Sequence, residues 1–386
     1  MYPLKVVIVG AGIGGLTCAI ACCCAGYEVE VYERVKQLRP SGGGMILWPN
    51  GVKALKVLGF GDKIAAISGY LSCMENRNYQ DKLLSCVDLR YLTAKVGQRP
   101  YSVSRWNLQQ ILLDAFGIDN IRFGSKCVAV EQDFRSVTAI FENGTQATGD
   151  ILIGADGIHS QIRSYVSERK VRLRYADYVN WNGLIPACQE LFALNKWSIY
   201  VGDRKRVSVM PVGGDRFSFV FGAPMPKGTI VAPERREAEL SKIFAGWQKI
   251  SQLIQRLAGH KINRIEIHDF DPLENLVKGR VALLGDAGHA STPALGQGAS
   301  QAIEDAVVIA RCLIKNKISV SEALRHYESE RKGRTTALTL KARTRTDIVY
   351  GKDPELTQKW YTHLKNRRET EVINSMAKIF LSGPFG

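Results

Sequence analysis

Histidine is scarce in this chain, with six in 386 residues, and the nine cysteines form no CxxC pair and no Cys/His cluster at metal-ligand spacing. That excludes a zinc-ribbon or zinc-finger reading, and no metal is expected. An odd cysteine count with three adjacent residues, Cys22, Cys23 and Cys24, does not suit a disulfide scaffold and fits a reduced, cytoplasmic compartment. Acidic residues are also short, 37 against 52 basic, which leaves a formal charge of +15. The basic residues are dispersed apart from "RKGRTTALTLKARTR" (331–345), and no finger, helix-turn-helix or RRM-like signature accompanies them. Nucleic acid is therefore not an expected partner, whereas a positive field suits an anionic small molecule. Internal repeats and low-complexity linkers are absent too. Residues 6–27 make one long uncharged run, but four glycines break its first half and the alternating "EVEVYE" follows it, so neither a membrane span nor a signal peptide is expected.

What is present is the texture of a two-domain α/β protein with a small third element. Residues 5–9, 14–25 and 28–32 read as strand, helix and strand. "SRWNLQQILLDAFG" (104–117) reads as an amphipathic helix capped by Ser104 and closed by Gly117. Short alternating runs follow at 121–130, 136–141 and 150–154. Between 171 and 269 the chain turns aromatic and β-rich, as in "VNWNGLI" and "RFSFVFG", with one helix near 236–257. A buried strand returns at 280–285, helices are predicted at 299–314 and 320–331, and the tail is helical to 348, breaks at 351–354 and resumes. A nucleotide-binding fold is thus assembled from separated pieces, with the middle sheet inserted.

Three motifs carry chemistry. "VVIVGAGIGGL" places Gly10, Gly12 and Gly15 in a GxGxxG frame between strand and helix. The first glycine permits the tight turn, the second lets backbone approach a pyrophosphate, and the third lets helix and strand pack. Glu33 closes the next strand eighteen residues after Gly15, where an acceptor for ribose hydroxyls is expected. "ILIGADGIHSQIR" ends a strand on Asp156, with Ser160 and Arg163 at helical spacing behind it. "VALLGDAGHASTPALGQG" ends another on Asp286 and continues in small residues, leaving room for something flat and large. Asp286 could alternatively cap the helix that follows.

These motifs, in this order, resemble the class A flavoprotein monooxygenases, the family of p-hydroxybenzoate and salicylate hydroxylases, over nearly the whole chain. The resemblance implies a Rossmann-like, p-hydroxybenzoate hydroxylase-like FAD-binding domain (1–70, 100–170 and 270–330). An inserted mixed β-sheet substrate domain (71–99 and 171–269) and C-terminal helices (331–386) complete the expected α/β fold. It implies FAD contacts from Gly10, Gly12, Gly14, Gly15, Glu33, Arg34, Arg105, Val128, Asp156, Asp286, Pro293, Leu295, Gly296 and Gly298. NADH or NADPH would bind transiently and reduce the flavin, and O2 would add to give a C4a-hydroperoxide that hydroxylates a small, planar, anionic aromatic ring. His289 is expected to be structural, near the flavin. His159 and His268 would be packing or hydrogen-bonding residues, and Cys22–Cys24 would pack the first helix.

"YVNWNGL" (178–184), "KRVSVMPV" (205–212), "NRIEIHD" (263–269) and the terminal "LSGPFG" resemble the branch of the family that acts on urate. The implied product is 5-hydroxyisourate, and Asn180 and Arg206 would contact the substrate. A fixed Arg206 cation would favour the ionised, electron-rich ring, which makes it the candidate catalytic residue. Two positions depart from that branch: Ser218 replaces a tyrosine and Ala294 an aspartate. Ser218, Ala294 and the neighbouring Phe219 are nevertheless assigned to the pocket. Two alternatives stay open, a flavin reductase or dehydrogenase without oxygen insertion and a basic flavoprotein without turnover. A monomer or homodimer is expected.

Overall fold

The computed structural model describes residues 3–40, 42–315 and 319–386; residues 1, 2 and 41 of the first expected FAD-domain segment, and 316–318 of the third, lie outside them. β1 (Lys5–Val9) is apolar after its lysine and fully covered, as a parallel strand flanked by helices must be. α1 (Ile13–Cys24) is built of small residues and buries Cys18 and Cys22 along its inner side. β2 (Glu28–Glu33) completes the first unit in parallel with β1. β3 (Gly44–Leu47) leads into α2 (Pro49–Val57) and α3 (Gly61–Ala66), and the chain then enters the second domain as the hairpin β4 (Cys73–Asn78) and β5 (Leu83–Asp88). α4 (Leu89–Val96) and β6 (Tyr101–Ser104) bring it back, β6 pairing antiparallel with β3. α5 (Arg105–Phe116) is capped by Ser104 and closed at Gly117, as its sequence predicts.

β7 (Ile121–Phe123) joins the first sheet, and β8 (Cys127–Gln132), β9 (Val137–Phe141) and β10 (Gln146–Gly149) form a small antiparallel meander. β11 (Ile151–Gly154) and α6 (Ile162–Ser167) carry the second motif. The long strands β12 (Arg174–Pro186), β13 (Lys196–Gly202), β14 (Lys205–Val212) and β15 (Arg216–Pro224) follow. The single helix expected at 236–257 is two, α7 (Arg236–Ile243) and α8 (Gln248–Gln255), because Gly246 turns the chain at φ +83°. β16 (Asn263–Asp269), β17 (Val277–Lys278) and β18 (Val281–Leu283) return to the first domain, ending in α9 (Asp286–His289) and α10 (Gly298–Lys315).

The first sheet has the order β17-β18-β11-β1-β2-β7, parallel except at β17, and is gathered from segments spread over 280 residues of chain. The second is a seven-stranded mixed sheet, β16-β12-β15-β14-β13-β4-β5, in which the early hairpin pairs parallel with β13. α7 and α8 cover one of its faces with an aromatic core.

The C-terminal region corrects one expectation. α11 (Val320–Tyr350) runs unbroken for 31 residues, so the two helical stretches expected at 320–331 and on to 348 are one, and the domain boundary drawn at 331 falls inside it. Gly333 is exposed with nothing within 4 Å, and the anchored side chains on either side of it hold the helix together. Arg331 is fully buried and reaches Asp305 at 2.6 Å and Glu304, while Arg334 reaches Glu304 at 2.9 Å. Gly351 ends the helix at φ +69°, and α12 (Pro354–Asn366) and α13 (Glu369–Leu381) pack beside the second sheet.

Candidate active site

The glycine loop after β1 is explained residue by residue. A methyl group on Gly10 would lie 2.3 Å from the Ala155 carbonyl, where φ is +112°, and one on Gly15 would lie 1.9 Å from the Gly10 carbonyl. Gly14 packs on Leu284, 2.6 Å from such a methyl. Gly12 alone has no neighbour within 4 Å. It is the glycine that faces open space at the start of α1, a helix with no side-chain cap and no acidic residue in its first turn. Its leading N–H groups and its dipole are left for an anion. Glu33 is held at this loop by Ala11 N (2.8 Å) and Val35 N (3.1 Å), with further lone pairs on both oxygens.

Around the cradle, the Arg105 side chain lies over the turn before β3, its Cδ 3.2 Å from where a Gly42 Cβ would be. Arg34 is exposed beside His159, whose imidazole is held below its ordinary pKa by burial, with Arg34 adding to the effect. Val128 is exposed at the bulge that opens β8. Asp156 accepts from Gln161 N at 2.8 Å through one oxygen, while its other oxygen is buried without a partner. Burial raises this carboxyl against the hydrogen bonds it receives. That second oxygen is free to accept a hydrogen bond from a hydroxyl.

The loop from Asp286 to Gly298 is rigidly supported. Asp286 does not cap α9: Gly285 holds that position, and the carboxylate is exposed, without a hydrogen bond among the described residues. Buried Arg163 grips the loop at the Ala287 carbonyl (3.3 Å) and the preceding one at Ile158 (2.7 Å), its guanidinium lying over Phe270. His289 Nε2 donates to Asp305 at 2.6 Å, and Asp305 also accepts from Gly285 N at 2.9 Å. The histidine is thereby a structural bracket. Burial alone would raise the Asp305 carboxyl, but His289 and Arg331 together pull it down to about 2. Pro293, Ala294 and Leu295 form a short helical turn with Pro293 exposed and the other two half-buried. Trp48 Nε1 donates to Leu295 O at 3.0 Å, and Gly296, at φ +62°, gives that ring its space. Thr292 is tied to α11 through the Ala342 carbonyl (3.1 Å) and the Thr346 hydroxyl (2.7 Å).

The second sheet contributes a row across three strands, Arg206 on β14, Gly222 on β15 and Asn180 on β12, paired in register. Arg206 is half-buried and, among the described residues, has no acid and no hydrogen-bond partner. Asn180 is 7% exposed and its Oδ1 is buried without a partner. Two sequence assignments are corrected here. Phe219 is fully buried on the opposite face, edge-on to Phe221 at 5.8 Å, because adjacent strand residues point to opposite sides. Ser218 is on the row's side but is 1% exposed, and its hydroxyl accepts from Gly44 N at 2.8 Å. It packs against the β3 turn and is almost closed to solvent. Tyr350, unmarked by any motif, stacks on Tyr178 beside the row at 3.9 Å.

The family described as FAD binding domain matches residues 3–342. The chain is 43% identical over 385 residues to the FAD-dependent urate hydroxylase of Klebsiella pneumoniae subsp. pneumoniae, covering 99% of this chain and all of that one. To the FAD-dependent urate hydroxylase of Mycolicibacterium vanbaalenii it is 42% identical, covering 99% and 98%. Among solved structures, Klebsiella pneumoniae HpxO complexed with FAD and uric acid superposes with a TM-score of 0.96 at 43% identity, over 99% of this chain and 98% of that one. A salicylate hydroxylase substrate complex shares the fold, with a TM-score of 0.77 at 23% identity over 100% and 99%.

Proposed function

Since the chain belongs to the FAD-binding-domain family, we propose that it is an FAD-dependent monooxygenase that hydroxylates urate to 5-hydroxyisourate with NADH or NADPH and O2. The observation that carries the substrate assignment is the row of Arg206 and Asn180. An unpaired guanidinium and an unpartnered buried amide oxygen lie together, in a chain similar over its whole length to urate hydroxylases.

The residues present fit FAD. The free N-terminus of α1 and the open space at Gly12 take the diphosphate, Glu33 takes a ribose, and Asp286, Asp156 and Arg105 take the remaining hydroxyls and phosphate oxygens. Bound FAD supplies acceptance of hydride from the nicotinamide and activation of O2. The protein's own part is to bind and orient. Arg206 favours the anionic form of the ring, because a neighbouring cation lowers the pKa of an acidic N–H. Asn180 Oδ1 accepts from a ring N–H and fixes its orientation. The stacked pair Tyr178 and Tyr350 walls the pocket with aromatic surface and keeps water from it. No helix among the described residues is long and apolar enough to cross a membrane. The placement we infer is cytoplasmic, with the reduced-thiol character of the sequence as its support.

The test is NADH consumption by the purified yellow protein with and without urate, following urate absorbance and hydrogen peroxide together. Urate-accelerated NADH use with matching urate loss and little peroxide supports the assignment. Peroxide release without urate loss would replace it with the flavin reductase reading.

A further inference from the structure

In the centre of the Arg206–Gly222–Asn180 row the missing side chain of Gly222 is replaced by a phenol from elsewhere. Tyr350 Oη lies 2.1 Å, and its Cζ 2.8 Å, from the point a Gly222 Cβ would occupy, and Asn180 Oδ1 lies 3.0 Å from the same point. Gly222 is not held in a left-handed conformation, so it is the approach of this phenol that requires glycine there. The ring is fixed by its stack on Tyr178, two residues before Asn180 on the same side of β12. It is fixed again by its helix. Tyr350 follows Thr346 by four residues, one turn or about 6 Å along α11, and Thr346 holds the flavin loop at Thr292. The hydroxyl therefore stands between the loop that borders the flavin and the sheet that bears Arg206.

Among the described residues this hydroxyl has no hydrogen-bond partner. Burial raises it to about 12, with Arg206 opposing, so it keeps its proton at neutral pH and remains a donor. Ser218, by contrast, is 1% exposed and accepts from Gly44 N, packed beneath the β3 turn.

We propose that Tyr350 is a specificity-determining residue whose hydroxyl donates a hydrogen bond to the anionic heteroaromatic ring held by Arg206 and Asn180. This assignment rests on the functional reading above. It is tested with the FAD-loaded full-length protein and Tyr350→Phe, which keeps the stack and removes only the hydroxyl. Flavin content and melting temperature should match the wild type. The urate kcat/KM should fall roughly 10- to 100-fold, as expected for one hydrogen bond to a charged group, with a matching rise in the Kd read from the flavin absorbance. Equal Kd and kcat/KM in the two proteins would overturn the role of Tyr350 and leave the functional reading intact. A wild type whose flavin spectrum and NADH use both ignore urate would overturn that reading, and the assignment with it. If Tyr350→Phe loses its flavin, Gly222→Ala decides: its methyl displaces the phenol and also crowds Asn180 Oδ1, so it is compared with Asn180→Ala and with the double variant. A urate kcat/KM lower in the double variant than in Asn180→Ala supports the role, and an equal one overturns it.

Discussion

The two faces of the seven-stranded sheet are made from alternate residues of the same strands, yet they are finished to different standards. Beneath α7 and α8, Phe219, Phe221 and Phe244 meet edge to face at 5.8 and 5.1 Å, and Trp181 completes its hydrogen bonding through Glu239 at 2.7 Å. On the other face, among the described residues, Arg206 has no acid and Asn180 Oδ1 has no donor. The buried Asn180 Oδ1 costs about 1–3 kcal/mol while unpaired, and a bound ring that donates to it would offset that cost. The aromatic face carries the packing, and the face that bears Arg206 and Asn180 is the one we propose for recognition.

Substitutions can break that division. Phe219→Ala should lower the unfolding free energy by about 3–5 kcal/mol, read as a fall in the urea midpoint, while the folded fraction keeps its urate KM. A selective rise in KM without loss of stability would place Phe219 back in the pocket. Arg206→Met should do the reverse. The urate kcat/KM drops roughly 100-fold, about 2.7 kcal/mol, with flavin content and melting temperature unchanged.

The smallest effect sharpens the contrast between Arg206 and Arg331, the unpaired and the saturated guanidinium. Asp305 titrates near 2 in the fold, below its unfolded value of about 3.9, so its contribution is complete above roughly pH 4 and is lost as pH falls toward 2. The stability gap between wild type and Asp305→Asn should therefore be widest at pH 5 and above and narrow on acidification, measured by urea midpoints between pH 6 and 3. A gap that does not change with pH would mean that the neutral side chain serves the bracket equally well.

The glycine loop that we propose cradles FAD was legible in the sequence because its logic is local. Gly10, Gly15 and Glu33 are close in the chain, and each meets a constraint that only its residue type satisfies. Asp156 and Asp286 were legible for the same reason, each at the end of an apolar strand. The pocket was less so. Arg206 and Asn180 were found through family likeness, whereas their adjacency depends on strand register, which no single segment encodes. Phe219 was misassigned although alternation alone forbids it from sharing a face with Ser218. Tyr350 was missed because its place beside Gly222 is fixed by the course of a long helix across the second sheet, which no local motif encodes. The anchors of that helix, Arg331 and Arg334, need the buried acids of α10, nearly thirty residues away.

That helix has a metric consequence. α11 is about 45 Å of uninterrupted rod. Near its middle it is clamped to Asp305 through Arg331, further on it is clipped to Thr292, and at its tip it carries the phenol over Gly222. The spacing between the flavin loop and the substrate sheet is thus measured in helical residues along one element and is not left to the fit of two domains. Insertions in the surface loops of either domain leave this calibration untouched, while one residue added between Thr346 and Tyr350 would turn the phenol by about 100° and take it off its mark.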